Sequence, residues 1–228
     1  MEIYALDITE EAVGQRYDEL TSWVSKDKRG RLARYHRRVD ALRSLGGDVL
    51  ARWVLCRRLG VPNDRLSFDV NAYGKPSLSS HEGLYYNVSH AGRWVVCAVD
   101  SAEVGVDVEA VKPVEDGVAR MIMSDEEYMR WSKLKGESQL DYFYEIWTLK
   151  ESLVKAEGKG LSIPLDSISF DINIGAQDIV LHTKDWSTSY QHFKQYDLDV
   201  GYKLAASALH PGFPDKLVIV TAKEIQLQ

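Results

Sequence analysis

Apolar residues at Leu42, Leu45, Val49, Leu50, Trp53, Val54 and Leu55 recur at three- and four-residue intervals, the pattern of a helix with one buried face. The spacing predicts a helix over 40–59. It is closed by Gly60 and Pro62, residues that end helices through a left-handed backbone and a missing amide donor. The Gly46-Gly47 pair costs roughly 1 kcal/mol per glycine in helix propensity, so it predicts close packing or a bend. Residues 94–99 and 104–108 read as two strands, joined as a hairpin by the polar segment Asp100-Ser101-Ala102-Glu103. Periodicity then predicts helices from Asp125 to about Leu134 and from about Leu140 to Glu157. Strand-like segments follow around Ile168, Ile179, Phe193 and Leu204.

The two halves repeat one another faintly. Each runs from a long amphipathic helix toward a small-residue apolar strand led by glycine and an aromatic: Gly92-Arg93-Trp94-Val95-Val96-Cys97-Ala98 parallels Gly201-Tyr202-Lys203-Leu204-Ala205-Ala206-Ser207-Ala208. Two related α+β halves, with any shared site between them, are the expected architecture.

Composition removes several alternatives. Hydrophobic residues at 45% and charged residues at 27% match a folded chain, not a disordered one. A net charge of -6, from 28 Lys+Arg against 34 Asp+Glu, argues against a general nucleic-acid binder. The start, Met1-Glu2-Ile3-Tyr4-Ala5-Leu6-Asp7, lacks a basic then apolar leader, and no stretch approaches the roughly 20 apolar residues of a membrane span, so a cytoplasmic protein is expected. Cys56 and Cys97 have no zinc-ligand spacing and read as reduced, structural thiols.

Candidate chemistry lies in two segments. In Val104-Gly105-Val106-Asp107-Val108-Glu109, alternation puts the valines on one strand face and both carboxylates on the other, about 6 to 7 Å apart at Cβ. Such a face either meets water or holds a cation. In 147–155, Trp147, Glu151 and Lys155 share one helix face, while Ile146, Leu149, Leu153 and Ala156 form a core stripe. Glu151 and Lys155 are then either an ordinary helix pair worth roughly 0.2–0.5 kcal/mol or parts of a site. Mg²⁺ chemistry on a pyrophosphate would use both segments, because that ion takes one or two carboxylates plus phosphate oxygens and water.

These residues resemble the Sfp-type 4'-phosphopantetheinyl transferases. The family's signatures, (Ile/Val)-Gly-(Ile/Val)-Asp-(Ile/Val)-Glu and Trp-(Ser/Thr)-x-Lys-Glu-(Ser/Ala)-x-x-Lys, are met without a break by 104–109 and 147–155. The resemblance extends to Tyr73-Gly74-Lys75-Pro76, Asn87-Val88-Ser89-His90, Gly47-Asp48-Val49-Leu50 and Gly158-Lys159-Gly160-Leu161, and so to nearly the whole chain. It implies a monomer of two similar α+β subdomains, 1–103 and 104–228, related by a pseudo-twofold axis, with coenzyme A in the cleft between them. The implied reaction moves 4'-phosphopantetheine from coenzyme A to a serine of an apo carrier protein, a peptidyl or acyl carrier domain of the kind used in nonribosomal peptide synthesis. Adenosine 3',5'-bisphosphate is released. A noncatalytic carrier-protein or coenzyme A binding module is the competing reading.

By the same resemblance, Asp107, Glu109 and Glu151 hold Mg²⁺, Lys155 contacts the pyrophosphate, and Trp147 and Lys150 brace the site. The proton of the attacking serine passes to Glu151 or to a water on the metal. The basic run from Lys26 to Arg38 reads by itself as a solvated helix face. The family implies phosphate contacts there, which points to Lys28 and Arg31, with Arg43 beyond. Lys75 and Pro76 are expected at the adenosine end, and Ser89 and His90 on phosphates. Ser124-Asp125-Glu126-Glu127 fits a capping box, with an approach of Glu127 to Lys150 as the alternative. Met121, Ile122, Met123 and Tyr128 are the expected contact for the carrier, or else a buried lead-in to the next helix.

Overall fold

The computed structural model describes residues 1–9, 12–173, 178–184, 187–190 and 192–226. In chain order these form β1 (Glu2–Asp7), α1 (Tyr17–Ser22), α2 (Lys26–Leu32), α3 (Arg38–Leu59), β2 (Phe68–Val70), β3 (Pro76–Leu78), β4 (Tyr85–Ala91), β5 (Trp94–Asp100) and β6 (Val104–Ala110). They continue with α4 (Asp116–Ile122), α5 (Asp125–Trp131), α6 (Glu137–Glu157), β7 (Ile168–Asn173), β8 (Asp178–Thr183), β9 (His192–Tyr196), β10 (Tyr202–Ala208) and β11 (Val218–Val220). The class is α+β, as expected.

Two sheets carry the fold, one in the order β11-β1-β5-β4 and one in the order β6-β10-β9. The expected hairpin between residues 94–99 and 104–108 does not form. β5 instead turns back on β4, with Ala91 opposite Trp94 across the two residues Gly92-Arg93, while β6 pairs with β10. Gly92 takes φ +55°, the left-handed backbone that a two-residue hairpin turn demands. Gly201, at φ +76°, leads into β10 as Gly92 leads into β5, and each of these strands is central in its sheet. That placement is the structural counterpart of the faint sequence repeat.

Period-two alternation sorts side chains into layers. Val95, Cys97 and Val99 of β5 face α3, while Trp94, Val96 and Ala98 face Val104, Val106 and Val108 of β6 with Leu204 and Ala206 of β10. The valines flanking the carboxylates thus bury against the back of the first sheet. Burying an aliphatic side chain contributes roughly 1.5–3 kcal/mol, so this shared core outweighs the polar contacts between the sheets. Those contacts set alignment.

The two long helices cover the outer faces. On α3, a Cβ at Gly46 would lie 2.6 Å from Ile8 Cγ2 and one at Gly47 3.2 Å from Val88 Cγ1, so the glycine pair permits close packing on the sheet. On the other side α6 lies on β6 and β10, where a Cβ at Gly105 would fall 1.9 Å from the Ser152 carbonyl oxygen. At that position no residue but glycine lets helix and strand meet. Among the described residues no helix is long and apolar enough to cross a membrane.

Candidate active site

β4 and β6 are edge strands of different sheets that run side by side without a backbone ladder. Side chains substitute for it. Asn87 Oδ1 accepts from the Val106 amide at 3.0 Å, and Ser89 Oγ accepts from the Val108 amide at 3.3 Å. Ser89 also donates to Asp107 Oδ1 at 2.8 Å and accepts from Lys155 Nζ at 2.8 Å, which uses all of its hydrogen-bonding capacity. Asn87 was not singled out from the sequence, although its i, i+2 spacing to Ser89 puts both on one strand face.

Asp107 sits at the centre, 2% exposed. Its Oδ1 takes Ser89 and the Lys155 ammonium at 2.5 Å, while its Oδ2 is buried without a hydrogen-bond partner. Leaving a buried acceptor unpaired costs about 1–3 kcal/mol, more for a charge. Glu109 and Glu151 face the same space. Burial, then repulsion from Asp107, pushes Glu109 up to about 7, against the pull of Lys155. Glu151 is raised by burial and then by Asp107. The Trp147 indole N–H lies near Glu109 and favours its charged form, short of hydrogen-bond geometry, and the ring stacks on Phe143.

Three carboxylates that repel one another, one with an orphan oxygen, make an oxygen donor set short of positive charge. Among the described residues no three His, Cys, Asp or Glu side chains converge into a ready-made metal cluster. The donors suit Mg²⁺, which takes few protein ligands and completes its octahedron with substrate oxygens and water.

Cations line the approach. A cavity of about 390 Å³ is walled by Tyr35, Asp40, Arg43, His90, Gly92, Glu109 and Lys112 among others. His90 is exposed at the surface, but desolvation in the cleft and then the charges of Lys155, Arg43 and Lys28 lower its pKa. Arg43 is held by Asp40 at 2.9 Å and by the Gly92 carbonyl at 2.9 Å. Lys28 lies 3.6 Å from Asp48, which Arg52 anchors at 2.5 Å, and its pKa is lowered by burial against the pull of Asp48. Arg31 is exposed on α2 and close enough to Lys28 to act on its charge. Tyr35 and Lys112 escaped the sequence reading. Lys112 follows Glu109 by three residues past the end of β6, where alternation no longer assigns a face.

Other expected site residues lie elsewhere. Lys150 is fully buried and donates to the Ile122 carbonyl at 2.8 Å, Glu127 Oε2 at 2.6 Å and the Leu165 carbonyl at 3.0 Å. Glu127 also closes the capping box with Ser124 and accepts from the Phe170 amide at 2.8 Å, so both alternatives for it hold at once. This pair braces α6 from behind. Lys75 and Pro76 line a separate cavity of about 450 Å³, and the Lys75 ammonium is engaged by Glu103 and by the Ala156 carbonyl at 2.8 Å. Ile122 and Met123 cannot form a surface contact, being 4% and 2% exposed in the core under α4. Met121 is 70% exposed, and Tyr128, half-buried, donates to Asp116.

Comparison with known proteins identifies the family. A family model described as "4'-phosphopantetheinyl transferase superfamily" matches residues 103–207, and one described as "4'-phosphopantetheinyl transferase, N-terminal" matches 11–102. The chain is 37% identical to the 4'-phosphopantetheinyl transferase Sfp of Bacillus subtilis (strain 168) over 225 residues, 99% of this chain and 100% of that one. It is 36% identical to the 4'-phosphopantetheinyl transferase gsp of Aneurinibacillus migulanus over 196 residues, 85% of this chain and 79% of that one. Since the likeness runs through both sheets and both signature segments, the chain belongs to the 4'-phosphopantetheinyl transferase superfamily.

Proposed function

We propose that this chain transfers 4'-phosphopantetheine from coenzyme A to a serine hydroxyl of an apo carrier protein, in a cleft between halves 1–103 and 104–228. The observation that carries the site assignment is the buried, unpartnered Oδ2 of Asp107, a carboxylate paired with Lys155 through its other oxygen and close enough to Glu109 and Glu151 to raise both. Asp107, Glu109 and Glu151 would hold Mg²⁺, which when bound supplies positive charge to the pyrophosphate. The chain's own groups do the rest. Lys155 adds a fixed charge near Asp107; His90 and Arg43, with Lys28 and Arg31 beyond, bind the remaining phosphate; Ser89 locks the Asp107–Lys155 geometry. The serine oxygen bonds to the β-phosphorus as the bridging P–O bond breaks, and adenosine 3',5'-bisphosphate leaves. The serine's proton passes to Glu151 or to a water on the bound metal; the raised pKa of Glu151 supports the first.

The reading extends to a cytoplasmic monomer acting on peptidyl or acyl carrier domains, with Met121 at the carrier contact. Support for that contact is its exposure on α4, one turn from the exposed Val118. The test is a mass-shift assay with coenzyme A, Mg²⁺ and an apo carrier. The wild type adds one phosphopantetheine, and Asp107→Ala lowers turnover by about 10³-fold. Turnover and Mg²⁺ dependence unchanged in that variant would refute the assignment.

A further inference from the structure

Beside Glu109, on the next strand, stands a lysine that does not pair with it. Lys203 of β10 is directly opposite Glu109 of β6, and residues so placed in an antiparallel pair share a face, with Cβ atoms about 4.5–5.5 Å apart. That face is the one under α6. Leu204 and Ala206 point to the first sheet, while Ser207, on the same face as Lys203, donates to the Ser152 carbonyl of α6 at 2.8 Å. The Glu109 carboxylate is thus within the reach of a lysine side chain. Two carboxylates of α6 claim the ammonium instead. Lys203 Nζ lies 2.9 Å from Glu145 Oε1 and 3.2 Å from Asp141 Oδ1, one turn apart in the first half of the helix. Gln195 of β9 steadies that turn, donating to the Glu145 carbonyl at 3.2 Å.

Asp107 shows what the alternative looks like. Asp107 and Glu109 are neighbours on one strand face, and each has a lysine within reach; Lys155 takes Asp107 at 2.5 Å, whereas Lys203 leaves Glu109 alone. An ammonium on Glu109 would supply the positive charge that the three carboxylates lack, and it would occupy oxygens that a metal ion needs. Asp141 and Glu145 set two negative charges against that outcome.

We propose that Asp141 and Glu145 are positioning residues that hold Lys203 off Glu109, and so keep that carboxylate open to the metal. The proposal rests on the metal assignment above. Its test is the Kd of Mn²⁺, read by electron paramagnetic resonance with saturating coenzyme A and no carrier, in about 0.5 M salt, where charges more than a few Å apart are screened. In the full-length double variant Asp141→Asn, Glu145→Gln, Kd rises about tenfold or more, because the released ammonium turns onto Glu109. Adding Lys203→Met brings it back to within about threefold of wild type. Glu145→Gln alone shifts Kd in the same direction and serves if the double variant does not fold. Metal-free crystals of the variant place Nζ within hydrogen-bond distance of Glu109. Unchanged Kd overturns the proposal. A loss that Lys203→Met fails to repair overturns it too, since the two acids then act by a route other than the lysine. Wild-type protein that binds no Mn²⁺ refutes the metal assignment instead, and the position of Nζ in the metal-free variant then decides the restraint on Lys203 alone.

Discussion

Helix α6 carries two lysines five residues apart, each paired with a buried carboxylate, and the two pairs are built to different ends. Behind the helix, Lys150 spends its three protons on three oxygens, and Glu127 accepts from Lys150, Ser124 and Phe170. Nothing is left over. In the cleft, Lys155 and Ser89 satisfy one oxygen of Asp107, and the other has no partner. A closed polar network fixes structure, whereas an open one next to further carboxylates stores a demand for a cation. Both lysines fall in one signature segment; completeness of hydrogen bonding separates the structural one from the one in the cleft.

The sharpest way to break this comparison is to delete the closed pair. Lys150→Met strands a buried glutamate and should lower unfolding free energy by about 3–5 kcal/mol in urea denaturation. A loss below about 1 kcal/mol would mean that the network is not structural.

Glu109→Gln gives a smaller effect of opposite sign. Its carboxyl titrates at about 7 when folded, against 4.5 as the ordinary value, so the stability it contributes is present below pH 4.5 and lost as pH rises through 7. In metal-free protein at pH 8 the variant should gain on the order of 1–2 kcal/mol, discounted for partial exposure, and gain nothing at pH 4. Equal melting temperatures of the two proteins at pH 8 would contradict the crowding of carboxylates.

His90 offers a comparable test through ligand affinity. Desolvation in the cleft, and then neighbouring cations, hold its pKa low, and a bound phosphate must raise it, so binding of adenosine 3',5'-bisphosphate takes up a proton and weakens as pH rises through the free-state pKa. Calorimetry in buffers of different ionisation enthalpy reads that proton, and its persistence in His90→Gln would reassign it. The smallest effect is expected at Met121→Asp. Losing one exposed apolar contact of about 1 kcal/mol should raise the carrier KM roughly fivefold, with kcat unchanged; no change in KM removes Met121 from the contact.

Much of the site was legible because it lies in local repeats. Alternation alone places Asp107 and Glu109 together on β6, and the helical period puts Glu151 and Lys155 on one face of α6. What escaped depends on contacts distant in sequence. The polar segment 100–103 has the look of a hairpin turn, yet β6 takes its partner about a hundred residues later, and nothing near Val104 announces β10. For Ile122 and Met123 the sequence leaves a surface patch and a buried lead-in both open, because the core that covers them is assembled from elsewhere; the structure gives the buried lead-in. Lys75 shows the same limit: a lysine beside a glycine and a proline carries no sign that its ammonium meets Glu103 and the Ala156 carbonyl.

β11 has a consequence for how the molecule is made. It lies parallel to β1, with Tyr4 opposite Val218 and Leu6 opposite Val220, on the far side of β1 from β5. A ribosome producing this chain therefore releases the first strand of the first sheet more than two hundred residues before its neighbour exists. Throughout that interval one edge of β1 is bare, and a bare strand edge is a template for unwanted pairing. The half built first is completed last, so truncations before residue 218 should injure the N-terminal sheet before they disturb the carboxylates.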